Sequence, residues 1–169
     1  LSLKGLKVAL IDKGDFCSNK SINFDFRTTA ISEGSKIFFE KIDFWRKIYK
    51  YAEPIKKIKV FDREITDQIV FKNPNKNSYL GYIIENKFLK RILISSLKEK
   101  KNVYLFSKLD LVDIEYFEEL VVSRTNENII RSKLLVAADG KNSFVKKIIK
   151  TASYNKTYKQ KALVANINH

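Results

Sequence analysis

The chain has one cysteine, Cys17, and one histidine, His169. A disulfide framework, a zinc cluster and a Ser/His/Asp arrangement are therefore all excluded from its own residues. If the chain serves an enzyme, a bound cofactor must carry the hard chemistry, and no side chain stands out as catalytic. No run of 18 or more apolar residues occurs, and the apolar segment 6–11 is too short for a spanning helix or a signal-peptide core. The expectation is a soluble, cytoplasmic protein. Internal repeats and low-complexity tracts are missing as well.

What is present is enough for a core. With 169 residues, 44% of them hydrophobic, a chain of this length buries roughly 70% of its unfolded surface. Lysine and arginine outnumber aspartate and glutamate by 33 to 19, for a net charge of +14. Such a balance suits a nucleic acid or an anionic membrane. Its distribution argues against nucleic acid: the basic residues of 56–59, 98–101 and 146–150 are interleaved with apolar positions, and no nucleic-acid motif accompanies them. Frequent Lys, Ile and Asn also follows from AT-rich codons, with no partner needed.

Hydrophobic periodicity and turn residues give an order of elements. Leu1 and Leu3 before Lys4-Gly5 look like the last turn of a helix closing on a glycine, so an earlier portion is expected to be missing. Residues 7–12 predict a strand buried in a parallel sheet, and 13–26 a polar loop. Ser32 is placed to cap a helix running to Ile42, and Asp43 a second one carrying Trp45, Ile48 and Tyr49. Residues 58–63 and 68–72 predict a hairpin, and 79–84 a further strand. Asn86 stands at the N-cap of a helix with Leu89, Ile92, Leu93 and Leu97 on one face. A strand at 103–106 follows, then a meander at 111–115, 120–125 and 128–131. Residues 133–138 are apolar enough for a strand buried on both faces. A helix over 142–150 and a strand over 162–166 complete the series. This order predicts an α/β nucleotide-binding core with a β-rich insertion.

Two turns carry the chemistry. Asp12 ends the first strand, where dinucleotide folds place an acidic residue to accept hydrogen bonds from a ribose. A strand-end aspartate is also an ordinary turn residue. The glycine-rich loop that would accompany it belongs about 20 residues upstream. Asp139-Gly140 brings a carboxylate and a flexible glycine to the start of a helix with free backbone N–H groups, an edge suited to phosphate and ribose. The same pair also serves plain strand-to-helix turns.

Residues 136–140 (VAADG), with Ser143 and Val145, resemble the ADGxxSxVR motif of the group A flavoprotein monooxygenases. Residues 25–32 (DFRTTAIS) resemble the D-x-R-x-x-A-(I/L)-S segment of the hydroxylases of ubiquinone biosynthesis within that group. Residues 81–86 (GYIIEN), with Leu89 and Leu93, look like their GYxxEN segment. Residues 158–167 (YKQKALVANI) are similar to the strand that follows their Asp-Gly motif. The four matches stand in the family's order and cover nearly the whole chain.

The resemblance implies a Rossmann-like FAD-binding domain of the glutathione-reductase type with a β-rich insertion, incomplete at both ends. Its expected division is 1–56 and 85–150 as parts of the FAD-binding domain, 57–84 as the insertion on the substrate side, and 151–169 as the start of a substrate domain. The implied activity is hydroxylation of a prenylated phenol, with FAD as cofactor, NADPH or NADH as electron donor and oxygen as co-substrate. By the same resemblance Asp12 holds the adenosine ribose, Arg27 lies against the flavin pyrophosphate, and Asp139, Gly140 and Ser143 form the cofactor edge. Asn86 takes a place where many relatives have an arginine near FAD, and is equally well a helix N-cap. Arg27, met without the resemblance, is a solvated charge in a polar stretch. Lys146 departs from the motif's arginine and lacks the bidentate phosphate fork.

The resemblance also implies membership of a ubiquinone-biosynthesis complex and peripheral association with the inner membrane, which a lipid-like substrate fits. No nucleic acid and no metal is expected. The competing readings are another group A hydroxylase or reductase, and a non-catalytic basic module. Because the first strand and its glycine loop are expected to be missing, the chain alone is expected to be poorly stable, inactive and unable to hold FAD tightly.

Overall fold

The computed structural model describes residues 1–16, 27–61, 68–75, 78–150, 152, 154 and 156–165. Cys17, Asp25, Phe26, Asn166, Ile167 and His169, named above, lie outside these residues. The chain divides into two compact units, Leu1–Leu6 with Ser18–Lys101, and Lys7–Cys17 with Asn102–His169.

The first unit begins with a 3-10 turn, Ser2–Lys4, closed by Gly5 in the left-handed conformation, as the Lys-Gly signal predicts. Its sheet is antiparallel, in the order β2 (Thr28–Ser32), β6 (Gly81–Glu85), β3 (Ala52–Ile55). Helix α1 (Glu33–Lys41) starts where predicted, with the Ser35 N–H donating to Ser32 Oγ at 3.2 Å. Glu33 in its first turn and Lys41 in its last suit the helix dipole.

Asp43 does not cap the second helix. It takes φ 56°, and the N-cap of α2 (Trp45–Ile48) is Phe44, whose ring is 5.4 Å from that of Phe39. Burial of this aromatic pair fixes the entry into α2, and Asp43 is left to an ion pair with Arg46 at 3.7 Å.

Helix α3 (Asn86–Lys98) lays Phe88, Leu89 and Ile92 on the core, while Leu93 is exposed. The core itself is Ile31, Phe44, Trp45, Ile48, Tyr82 and Ile84, with Ile48 wholly buried and Trp45 edge-on to Tyr82 at 4.9 Å. The predicted hairpin is present as β4 (Lys57–Val60) paired antiparallel to β5 (Ile69–Lys72).

In the second unit β1 (Val8–Asp12) pairs in parallel with β7 (Val103–Ser107), Val8 opposite Val103 and Asp12 opposite Ser107. A parallel pair was expected, but a fully buried strand was not found. Among the described residues β1 pairs on one side only, and Leu10 is 36% exposed. The meander is β8 (Leu111–Tyr116), β9 (Val121–Thr125) and β10 (Ile129–Ser132), in the order β10-β9-β8. Helix α4 (Phe144–Ile148) follows, shorter than expected.

Two predicted strands are absent from the described residues. Residues 133–138 adopt no strand, and Leu134 and Val136 are 69% and 63% exposed. An apolar run becomes a strand only where a neighbour supplies backbone donors and acceptors, and none of the described strands pairs with it. Its alternation survives on one side, since Leu135 and Ala137 line an apolar groove of about 630 Å³ shared with Ile114, Tyr116, Val145 and Ile149. Residues 162–165 likewise form no strand, with Leu163 and Val164 exposed.

Candidate nucleotide-binding turns

Asp12 ends β1, and its carboxylate Oδ1 accepts the Gly14 N–H at 2.6 Å. The turn is stitched to the chain leaving β7: Leu109 N–H donates to the Asp12 carbonyl at 3.2 Å, and Lys108 N–H to the Gly14 carbonyl at 3.0 Å. Lys108 holds φ 60° and its ammonium lies 2.9 Å from Asp15 Oδ2. The ordinary turn role foreseen for Asp12 is therefore present. One carboxylate oxygen shapes the turn at the C-terminal end of a parallel pair.

The Asp139-Gly140 turn is built differently from the expectation. With no strand behind it, what fixes the turn is the helix ahead. Asp139 Oδ2 accepts Phe144 N–H at 2.6 Å and Val145 N–H at 3.2 Å, while Ser143 Oγ accepts Lys146 N–H at 3.0 Å. Three first-turn amides of α4 are thus satisfied by two side chains, a double N-cap. Gly140 sits at φ 79°, and a Cβ built on it would meet nothing within 4 Å. The turn therefore presents bare backbone to open space.

The Ser143 hydroxyl, with the amides of Val145 and Phe144, holds the Asp139 carboxyl below the ordinary carboxylate value. A depressed carboxyl stabilises the folded turn above its unfolded value, and that stabilisation is lost as pH falls through the lower, folded value. Asp139 is exposed, so the effect is local. The amide proton shifts of Phe144 and Val145 are expected to titrate together, with a midpoint below about 3.9, the free aspartate value. In Asp139→Asn this titration should vanish. A midpoint at or above the free value would show that the amides do not engage the carboxylate.

Arg27 and Asn86 belong to the other unit. Asn86 is the first residue of α3 and not its N-cap, which is Glu85. Its N–H donates to the Arg27 carbonyl at 2.9 Å, and its Oδ1 accepts the Thr29 hydroxyl at 2.5 Å. The structure therefore joins Arg27 and Asn86 through backbone and through Thr29, a residue that sequence reasoning did not single out. The signal was there in the β-branched pair Thr28-Thr29 before Ala30-Ile31. Asp139, Gly140 and Ser143 come together at α4, and Asp12 lies in the same unit. Among the described residues no hydrogen bond joins the Asp12 turn to the Asp139 turn, no group of acidic, histidine or cysteine residues can hold a metal, and no helix is long and apolar enough to cross a membrane.

No protein-family model matches the chain. In sequence it is similar to ubiquinone biosynthesis monooxygenase COQ6 of Dictyostelium discoideum, 29% identical over 97% of this chain and 37% of that protein. It is also similar to ubiquinone hydroxylase UbiL of Rhodospirillum rubrum, 22% identical over 100% of this chain and 40% of that protein. The chain thus spans about two-fifths of the length of these relatives. In fold it is similar to PqsL, a probable FAD-dependent monooxygenase from Pseudomonas aeruginosa, with a TM-score of 0.74 and 12% identity over 93% of this chain and 42% of that one. The fold is thereby an α/β fold of the kind seen in an FAD-dependent monooxygenase, and over nearly its whole length the chain is similar in sequence to ubiquinone-biosynthesis hydroxylases.

Proposed function

We propose that the chain forms a flavin-binding portion of a monooxygenase that hydroxylates a prenylated phenol in ubiquinone biosynthesis, with FAD as cofactor and NADPH or NADH as electron donor. The observation that carries the reading is the pair of turns in one unit, Asp12 at the end of a parallel strand and Gly140 with open space before its backbone. Similarity to ubiquinone hydroxylases along the chain supports it.

The residues present fit an adenine dinucleotide. Gly140 leaves room where any side chain would intrude, and Asp12 spends Oδ1 on Gly14, leaving its second oxygen for a ribose hydroxyl. In the other unit Asn86 holds the backbone of Arg27, the residue that the family resemblance assigns to the flavin pyrophosphate. Asp139 and Ser143 act by fixing the turn, since their oxygens serve α4. When bound, FAD supplies the oxygen activation and transfer that no side chain here provides. The division into a Rossmann-like FAD-binding domain (1–56 and 85–150), a substrate-side insertion (57–84) and the start of a substrate domain (151–169) is part of the same proposal, as is association with a ubiquinone-biosynthesis complex.

Titration with FAD, read by flavin fluorescence, tests it. Saturable quenching is expected, weakened about tenfold in Asp12→Ala and in Arg27→Ala, the scale of one charge-assisted hydrogen bond. Binding is expected to be loose enough for flavin to be lost on gel filtration, because among the described residues β1 pairs on one side only. Absence of quenching, or quenching indifferent to both substitutions, would remove the basis of the reading; a stoichiometric flavin band on the purified chain would overturn the looseness alone.

A further inference from the structure

Among the described residues Asp43, Lys108 and Lys150 hold a positive φ without being glycine. An L-residue in this conformation crowds its Cβ against a carbonyl oxygen, so it persists only where its surroundings hold it. Asp43 lies between α1 and α2, and Lys150 follows α4. Lys108, at φ 60°, is the one of the three hydrogen-bonded to an aspartate turn of the candidate site.

The chain around Lys108 is fixed on three sides. β7 ends at Ser107, in register with Asp12. Leu109 is only 5% exposed. The Asp110 N–H donates to Asn126 Oδ1 and the Asn126 N–H to the Asp110 carbonyl, both at 3.1 Å. Residues 107–110 are thus a platform anchored by a strand, by burial and by the turn between β9 and β10. In an extended strand successive amides point to opposite sides; the left-handed bend at Lys108 turns two of them toward one neighbour. They take the two ends of the Asp12 turn, Leu109 N–H donating to the Asp12 carbonyl and Lys108 N–H to the Gly14 carbonyl. The Lys108 ammonium reaches Asp15, but with Lys108 70% exposed that ion pair contributes little.

We propose that Lys108 is a positioning residue for the ribose contact, its left-handed backbone holding the Asp12 turn in place before a dinucleotide arrives. Lys108 itself touches no part of the ligand. A carboxylate held in advance loses little freedom on binding, which is how such a grip becomes affinity. The proposal rests on the flavin reading for what Asp12 meets, and on the hydrogen bonds of the platform for how Asp12 is held.

Lys108→Gly and Lys108→Thr test it. Both remove the same ammonium, whereas glycine adopts φ 60° freely and a β-branched residue hardly at all. In the chain without flavin, exchange of the Leu109 amide proton should quicken about tenfold in Lys108→Thr and stay within about twofold of the parent in Lys108→Gly. FAD affinity, read by flavin fluorescence, should fall about tenfold in Lys108→Thr, the loss expected of Asp12→Ala, and recover to within about threefold in Lys108→Gly. With Asp12→Ala already in place, Lys108→Thr should weaken FAD no further, whereas a general loosening of the unit would weaken it in both backgrounds. Parental amide shifts at Phe144 and Val145, in the same unit, certify that each variant is folded. Absence of quenching in the parent overturns the flavin reading and this inference together. Quenching that depends on Asp12 overturns the inference alone if Lys108→Gly and Lys108→Thr bind FAD alike, or if the losses from Lys108→Thr and Asp12→Ala multiply. A loss in Lys108→Gly as large as that of Asp12→Ala does the same, whether or not Lys108→Thr folds.

Discussion

Gly81→Ala is expected to lower the stability of the first unit by about 3 kcal/mol or more, against a typical total of roughly 5–15 kcal/mol. Gly81 holds φ 154°, a region open essentially to glycine alone. A Cβ there would lie 2.5 Å from the Ile31 carbonyl oxygen and 3.4 Å from its carbon, both backbone atoms of the neighbouring strand. β2 cannot yield by simple displacement. It is registered to β6 with Ile31 opposite Tyr82 and Ser32 opposite Gly81, and both Ile31 and Tyr82 are in the core. Separating the strands therefore opens the core itself. Trp45 is the chain's single tryptophan, and its ring is buried against Tyr82, so its emission follows this unit. The thermal midpoint read there should fall by roughly 15 °C. A midpoint like the parent's would mean that the approach of β6 to β2 is not as close as described.

Gly140→Ala is expected to do something different. The left-handed conformation costs alanine about 1–2 kcal/mol, but the added methyl meets no protein atom, so the fold pays little. If the open space before Gly140 is where a dinucleotide approaches the backbone, the methyl group occupies that space, and FAD affinity should fall by about tenfold or more. Gly5 supplies the control. It has φ 78° and open space as well, yet closes a 3-10 turn in the other unit. Gly5→Ala should match Gly140→Ala in conformational cost and leave flavin quenching unchanged. Equal flavin affinities in the two variants would separate Gly140 from any ligand.

The elements legible in the sequence are those whose pattern is self-contained. The β8–β10 meander and the β4–β5 hairpin join neighbours in sequence, and α1 carries its own serine cap. Elements defined by a distant partner were missed or misread. β2 is a short Thr-Thr-Ala-Ile-Ser stretch whose strand character comes from pairing with β6, more than fifty residues on, and its last residue already serves as the α1 cap. β3 contains Pro54, which argues against a central strand but is tolerated on an edge, where β3 lies. Residues 133–138 show the opposite error, since apolar content states a preference for burial without naming what does the burying.

The site followed the same rule. A strand-end position singled out Asp12 and a local word match the Asp139-Gly140 turn, but neither showed that the Asp139 carboxylate is engaged by α4. Nor did the reading of Asn86 as an N-cap, a place that Glu85 takes, suggest its bond to Thr29 across 57 residues.

The pairing of β1 with β7 also sets an order of events. β1 leaves the ribosome before β7, and the whole Ser18–Lys101 stretch is made between them. At about 5–20 residues per second, β1 must wait several seconds while an independent body is made between the two strands. Of the two units the interrupted one is therefore the later to assemble, and the chaperone-sensitive interval of its synthesis falls on the unit that bears the two aspartate turns.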